Sequence, residues 1–175
     1  MPCSKEYQAL SETQLAQLGL ALSSALFPGA FIALFGDLGA GKTTLTQAIG
    51  QGLGIQDIQS PTFTIVREHR DGRLPLFHFD AYRLGSGEEL YAIGYEDYLA
   101  QQGVVVMEWC ENVPEALPAQ RLEVHLTGSG MEPWAQRILI FWRHCHDPIS
   151  HFHLRPCGFR RAFTGRRPPA QGGRP

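Results

Sequence analysis

The stretch Ala30-Phe31-Ile32-Ala33-Leu34-Phe35-Gly36-Asp37-Leu38-Gly39-Ala40-Gly41-Lys42-Thr43-Thr44 decides the fold. Its first six residues are an apolar run of strand length. Gly36 to Thr43 then satisfies the phosphate-loop pattern G-x-x-x-x-G-K-[ST] at every fixed position, and Thr43 to Ile49 can open a helix. Strand, glycine-rich loop and helix follow in the order a phosphate site requires. The expected contacts are Asp37, Leu38, Gly39, Ala40, Gly41, Lys42, Thr43 and Thr44, whose amides converge on phosphate where the helix N-terminus adds partial positive charge. Lys42 would reach between the β- and γ-phosphates, and the Thr43 hydroxyl would ligate Mg²⁺. The motif does not distinguish adenine from guanine.

Working outward, Leu15, Leu18, Leu22 and Leu26 recur at helical spacing. They predict a core-facing helix begun by Ser11, with Gln14 completing a capping box, and stopped by Pro28-Gly29. The helix after the loop should end by Gly52 or Gly54. Beyond Ser60-Pro61-Thr62, the runs Phe63–Glu68 and Leu74–Asp80 flank the polar turn Asp71-Gly72-Arg73 and predict an antiparallel hairpin. Pro75 marks an edge or a strand start there. Residues 87–102 read as a helix broken or bent near Gly94, with Leu90, Ile93 and Leu99 inward. Val104 to Met107 reads as a strand buried on both faces. Arg121–Thr127 and Arg137–Phe141 are further strands. The alternation predicts an α/β P-loop nucleoside triphosphatase with a central mixed, mostly parallel sheet flanked by helices.

The chain of 175 residues is long enough for one ordinary domain. It contains no apolar run of 18 residues, so no membrane span is expected. Met1–Leu10 lacks the apolar block of a secretory signal, and the four cysteines are scattered. A cytoplasmic protein with reduced thiols is the expectation. The net charge of −2 is unevenly divided. Residues 1–140 hold 8 Lys and Arg against 16 Asp and Glu, a net of −8. Residues 141–175 hold 7 Arg against Asp147 alone, a net of +6. The first part is therefore poorly suited to wrapping nucleic acid through its own field. The division predicts a P-loop domain over 1–140 and a basic His/Arg/Pro-rich extension over 141–175, whose last ten residues cannot build a core.

Hydrolysis needs acids that hold metal and order water. Glu108 directly follows the buried strand, and Asp80 ends another, so both are expected in the metal and water-ordering shell. Which one takes a proton from water stays open. Thr62, after Pro61, is the candidate switch residue that senses the γ-phosphate. Arg83 fits either phosphoryl charge or a surface ion pair with Glu88 or Glu89. Trp109 fits a base-stacking platform or the floor of the site. His78 reads as a structural or surface histidine rather than a base. Cys145, His146, His151, His153 and Cys157 are zinc-type donors without the paired knuckle spacing, which argues against a metal there.

Taken together, Gly36–Thr44, Ser60-Pro61-Thr62-Phe63, His78-Phe79-Asp80-Ala81-Tyr82-Arg83-Leu84, Glu88-Glu89-Leu90 and Val106-Met107-Glu108-Trp109 resemble the TsaE (YjeE) family, small bacterial ATPases needed for threonylcarbamoyladenosine in tRNA. The likeness covers roughly residues 15–127. It implies ATP and Mg²⁺ as cofactors, slow hydrolysis in isolation, and action on TsaD and TsaB-like partners, with tRNA met only through that complex. By the same resemblance Lys42 and Thr43 contact phosphate and Mg²⁺, Thr62 acts as a switch, Asp80 and Glu108 stand near the metal, and Trp109 lies beside the nucleotide. After about Gly130 the chain departs from the family pattern: Met131-Glu132-Pro133-Trp134 intervenes, and the extension looks foreign to the fold. Outside that family, a small P-loop kinase and a nucleotide-dependent regulatory module are the alternatives. The absence of arginine from residues 85–102 argues against a kinase lid.

Overall fold

A computed structural model describes residues 4–8, 11–61, 64–128 and 137–143. In chain order these form β1 (Ser4–Gln8), α1 (Glu12–Ser23), β2 (Phe31–Phe35), α2 (Lys42–Gly52), β3 (Val66–His69), β4 (Leu76–Asp80), α3 (Gly87–Ala92), α4 (Tyr95–Ala100), β5 (Val104–Glu108), β6 (Arg121–Thr127) and β7 (Arg137–Arg143). The strands make one sheet in the order β1-β7-β6-β2-β5-β4-β3. The expected mixed sheet is present. Its four central strands, β6, β2, β5 and β4, run parallel, while β3, β7 and β1 join antiparallel.

Successive side chains of a strand point to opposite faces, and this divides the core in two. Ile32, Leu34, Val104, Val106, Leu122 and Val124 pack with Leu15, Leu18 and Leu22 of α1 and Leu45 and Ile49 of α2. Phe31, Ala33, Phe77, Phe79, Val105 and Met107 pack on the other face with Leu90 of α3, Tyr95 of α4 and Cys110. Every residue of β5 is buried, because helices cover both of its faces.

Several expectations meet corrections. The Ser11–Gln14 capping box is formed, but α1 ends at Ser23, well before Pro28. The Ser23 and Ser24 hydroxyls donate to the Leu20 and Ala21 carbonyls there. The hairpin exists, with Pro75 just ahead of β4 and β3 on the sheet edge. Its first strand starts only at Val66, because Ile65 turns the chain at φ 62°. Ile93 is not inward but 38% exposed. Gly94 at φ 81° caps α4 and restarts the helical period, so Tyr95 takes the buried place. Leu99 is half-buried against the aromatic core. β1 was not expected, and β7 runs two residues past the expected end at Phe141, with Phe141 paired to both Ser4 and Glu123.

Candidate active site

The loop 36–41 joins the carboxyl end of β2 to α2 at the centre of the sheet. Its glycines answer to geometry. Gly36 sits at φ 136°, and a Cβ there would lie 2.1 Å from the Leu126 carbonyl oxygen of β6. Gly41 is the N-cap of α2 at φ 97° and brings no capping side chain. No acidic side chain occupies the first turn either. The end of α2 therefore presents backbone N–H groups and partial positive charge with no side-chain oxygen of its own to cap them.

Lys42, the first residue of α2, is only 5% exposed. Its Nζ donates to the carbonyl oxygens of Gly36 and of Asp37, the latter at 2.8 Å, and lies 3.7 Å from the centroid of the Trp109 ring. Burial pulls its pKa below the usual lysine range, opposed in turn by the negative charges of Glu108, Glu111, Asp37 and Asp80. Trp109 reaches this place because it adopts φ 61° directly after β5. The Tyr82 ring packs on it, 4.8 Å between centroids.

The acids arrive on the neighbouring parallel strands. Asp80 and Glu108 are opposite one another in the β4–β5 register and end their strands together. Glu108 is 3% exposed. Its Oε2 accepts from the Thr43 hydroxyl at 3.1 Å. Its Oε1 lies 2.8 Å from His78 Nε2 and 3.5 Å from Thr46 Oγ1, the latter hydroxyl donating to the Lys42 carbonyl at 3.0 Å. Asp80 Oδ1 accepts from the Tyr82 amide at 2.9 Å, a turn that leaves its carboxylate half-buried at the strand end. The Gly36 amide donates to Glu111 Oε1 at 3.4 Å.

Of the residues singled out from sequence, the fold gathers Lys42, Thr43, Glu108 and Trp109 around the loop 37–41, with Asp80 on the adjacent strand end. Thr44 follows inside the first turn of α2, half-buried. Thr62 and the cysteines and histidines of the extension lie outside the described residues. Arg83 is exposed on the segment after β4. His78 is fully buried against Glu108 and not at the surface. Thr46 and Glu111 went unnoticed in the sequence. For Thr46 the signal was there: it lies one short turn beyond Thr43 on α2. Among the described residues no three His, Cys, Asp or Glu side chains converge as a metal cluster. The donors present are hard oxygens of one hydroxyl and two carboxylates.

The family model described as "Threonylcarbamoyl adenosine biosynthesis protein TsaE" matches residues 9–138. A relative from Bacillus subtilis named "tRNA threonylcarbamoyladenosine biosynthesis protein TsaE" is 46% identical over 104 residues, 59% of this chain and 65% of that protein. One of the same name from Nostoc is 44% identical over 128 residues, covering 71% and 78% of the two chains. Among solved structures, the crystal structure of YdiB from Bacillus subtilis superposes with a TM-score of 0.67 at 32% identity, covering 82% of this chain and 87% of that one.

Proposed function

The chain belongs to the TsaE family, and on that premise we propose that it is a Mg²⁺-dependent ATPase that supports threonylcarbamoyladenosine modification of tRNA by acting on a TsaB–TsaD pair. The observation that carries the reading is the buried Glu108 carboxylate, held by Thr43 at the mouth of a phosphate loop. In this reading residues 37–44 hold the triphosphate through backbone N–H groups and the α2 N-terminus. Lys42 leaves the Gly36 and Asp37 carbonyls for phosphate oxygens, a short swing for a side chain already lying in the loop. Trp109, backed by Tyr82, flanks the nucleotide. Thr62, which follows Pro61 in the sequence, serves as the switch in this reading.

Thr43, Glu108 and Asp80 would hold Mg²⁺. One hydroxyl and two carboxylates suit a small hard cation that keeps waters and takes its remaining ligands from phosphate. When bound, the ion would neutralise charge on the phosphate oxygens. Asp80 and Glu108 hold and orient the attacking water. Weak turnover is expected of the chain alone in this reading, since the partner would complete the site. Residues up to β7 form the ATPase domain, and the basic extension stands apart from catalysis. Among the described residues no helix is long and apolar enough to cross a membrane. A cytoplasmic location is part of the proposal and follows from the family reading.

The test is steady-state ATP hydrolysis with Mg²⁺, alone and with a TsaB–TsaD pair, while threonylcarbamoyl transfer to tRNA is followed. Low solitary turnover that rises with the pair and sustains repeated modification is expected. Folded, ATP-binding protein that neither responds to the pair nor affects modification would overturn the proposal.

A further inference from the structure

We infer that His78 is a positioning residue that sets the orientation of the Glu108 carboxylate; the inference rests on the ATPase reading of this site. His78 lies in the middle of β4, two residues before Asp80 and on the same face of the sheet. Its ring is wholly buried, and Nε2 lies 2.8 Å from Glu108 Oε1. A carboxylate accepts, so Nε2 carries the hydrogen and donates. The other nitrogen, Nδ1, is buried with no hydrogen-bond partner among the described residues.

A histidine placed here only to fill the core is a poor choice. It leaves a polar atom unsatisfied at a cost that leucine or phenylalanine would avoid. What the ring supplies that an apolar residue cannot is the single N–H aimed at Glu108. The two carboxylate oxygens then have different tasks. Oε1 is turned inward by His78, with Thr46 behind it, and Oε2 is left facing Thr43 and the loop. The terminal torsion of a glutamate is broad and sets little by itself. Without the His78 donor the carboxylate is freer to rotate toward the Lys42 ammonium, whose charge Glu108 favours more than Glu111, Asp37 or Asp80 does, against the opposing effect of burial. Buried hydrogen-bond partners of metal-binding side chains are worth on the order of 10–100-fold in metal affinity or activity.

Three variants separate positioning from packing. His78→Leu fills the space without a donor, His78→Gln offers an amide N–H at about the reach of Nε2, and His78→Asn offers one too short to arrive. ATP affinity is measured by calorimetry in EDTA and again with saturating Mg²⁺, and kcat and KM follow on the same preparations. For His78→Leu, affinity in EDTA should stay within about two-fold of the parent chain. The gain in affinity on adding Mg²⁺, and kcat, should each fall by about 10-fold or more, with KM in Mg²⁺ rising alongside the lost affinity. His78→Gln should recover most of both, and His78→Asn little. Equal behaviour of the Gln and Leu variants, or an unchanged Mg²⁺ gain in His78→Leu, would overturn the inference. Should His78→Leu not fold, the Gln and Asn pair carries the same comparison. If the parent chain binds Mg-ATP but never hydrolyses it, the ATPase reading fails, while the Mg²⁺ gain still decides whether His78 orients Glu108.

Discussion

The Lys42 ammonium lies 3.7 Å from the centre of the Trp109 ring, so the charge proposed to meet phosphate is already in contact with the residue proposed to flank the nucleotide. Lys42 comes from the start of α2 and Trp109 from the left-handed residue after β5. The two elements are brought together by the β2–β5 pairing beneath them. A cation over an indole is worth about 0.5–2 kcal/mol, depending on desolvation, a hold weak enough to exchange for phosphate.

That contact makes Trp109 a reporter. In a Trp134→Phe/Trp142→Phe background, ATP should change the emission of Trp109, because Lys42 is drawn off its face. Lys42→Met should alter the starting emission and abolish most of the response at saturating ATP. A full-sized response in Lys42→Met would mean that the indole senses something other than the lysine.

Asp80 and Glu108 end adjacent strands in register, which leads to a prediction on hydrolysis. Asp80→Ala and Glu108→Ala should each lower kcat by about 10²-fold or more, as expected when a group positions water or metal in the transition state. Binding of ATP in EDTA should change far less. Undiminished turnover in both variants, measured with the partner pair present, would remove these acids from the mechanism.

How much of this was readable beforehand depends on the range of the contact that fixes each element. β2, the loop and α2 were legible because the signal is local: an apolar strand run, three glycines at positive φ (Gly36, Gly39 and Gly41), and a lysine. β5 was legible because burial on both faces leaves no polar position inside it. β1 was not, since Ser4-Lys5-Glu6-Tyr7-Gln8 has no apolar periodicity and is a strand only by pairing with β7 at the far end of the chain. Ile93 stands three residues after the buried Leu90, but it is the C-cap of α3 at φ −96° and ψ 11°, already off the helical period, and the break expected near Gly94 leaves it exposed. His78 shows the same limit. Its parity with Asp80 was visible in the sequence, but that β5 would lie beside β4 and bring Glu108 to its Nε2 was a tertiary fact.

Close packing of α1 on α2 gives a stability prediction. A Cβ at Gly19 would lie 2.5 Å from Ala48 Cβ and 3.0 Å from the Leu45 carbonyl oxygen. Gly19→Ala gains about 1 kcal/mol in helix propensity but overpacks a contact made of backbone and a methyl, neither able to rotate away. Overpacking costs about 1–3 kcal/mol, and it should win. A net loss of up to about 2 kcal/mol in urea unfolding is expected, and Ala48→Gly in the same chain should recover part of it. A stabilised Gly19→Ala would show that the helices can separate at little cost.

His69 gives the pH dependence. On the edge strand β3 its Nε2 is buried without a hydrogen-bond partner among the described residues. Burial lowers its pKa below the ordinary value of 6.5, the nearby His78 and Arg67 lower it further, and Asp71 and Asp57 act in the opposite sense. A histidine whose folded pKa is depressed takes its proton more readily in the unfolded chain. Stability from this group is therefore complete above about 6.5 and is lost as the pH falls through the folded value. Urea midpoints at pH 7.5 and 5.5 should drop more for the parent chain than for His69→Phe, which has no proton to take up. The comparison between the two chains matters, because other groups titrate in the same window and cancel only in the difference. Equal losses in both would show that His69 protonates alike in the folded and unfolded chains, and that its unpartnered nitrogen is satisfied by solvent after all.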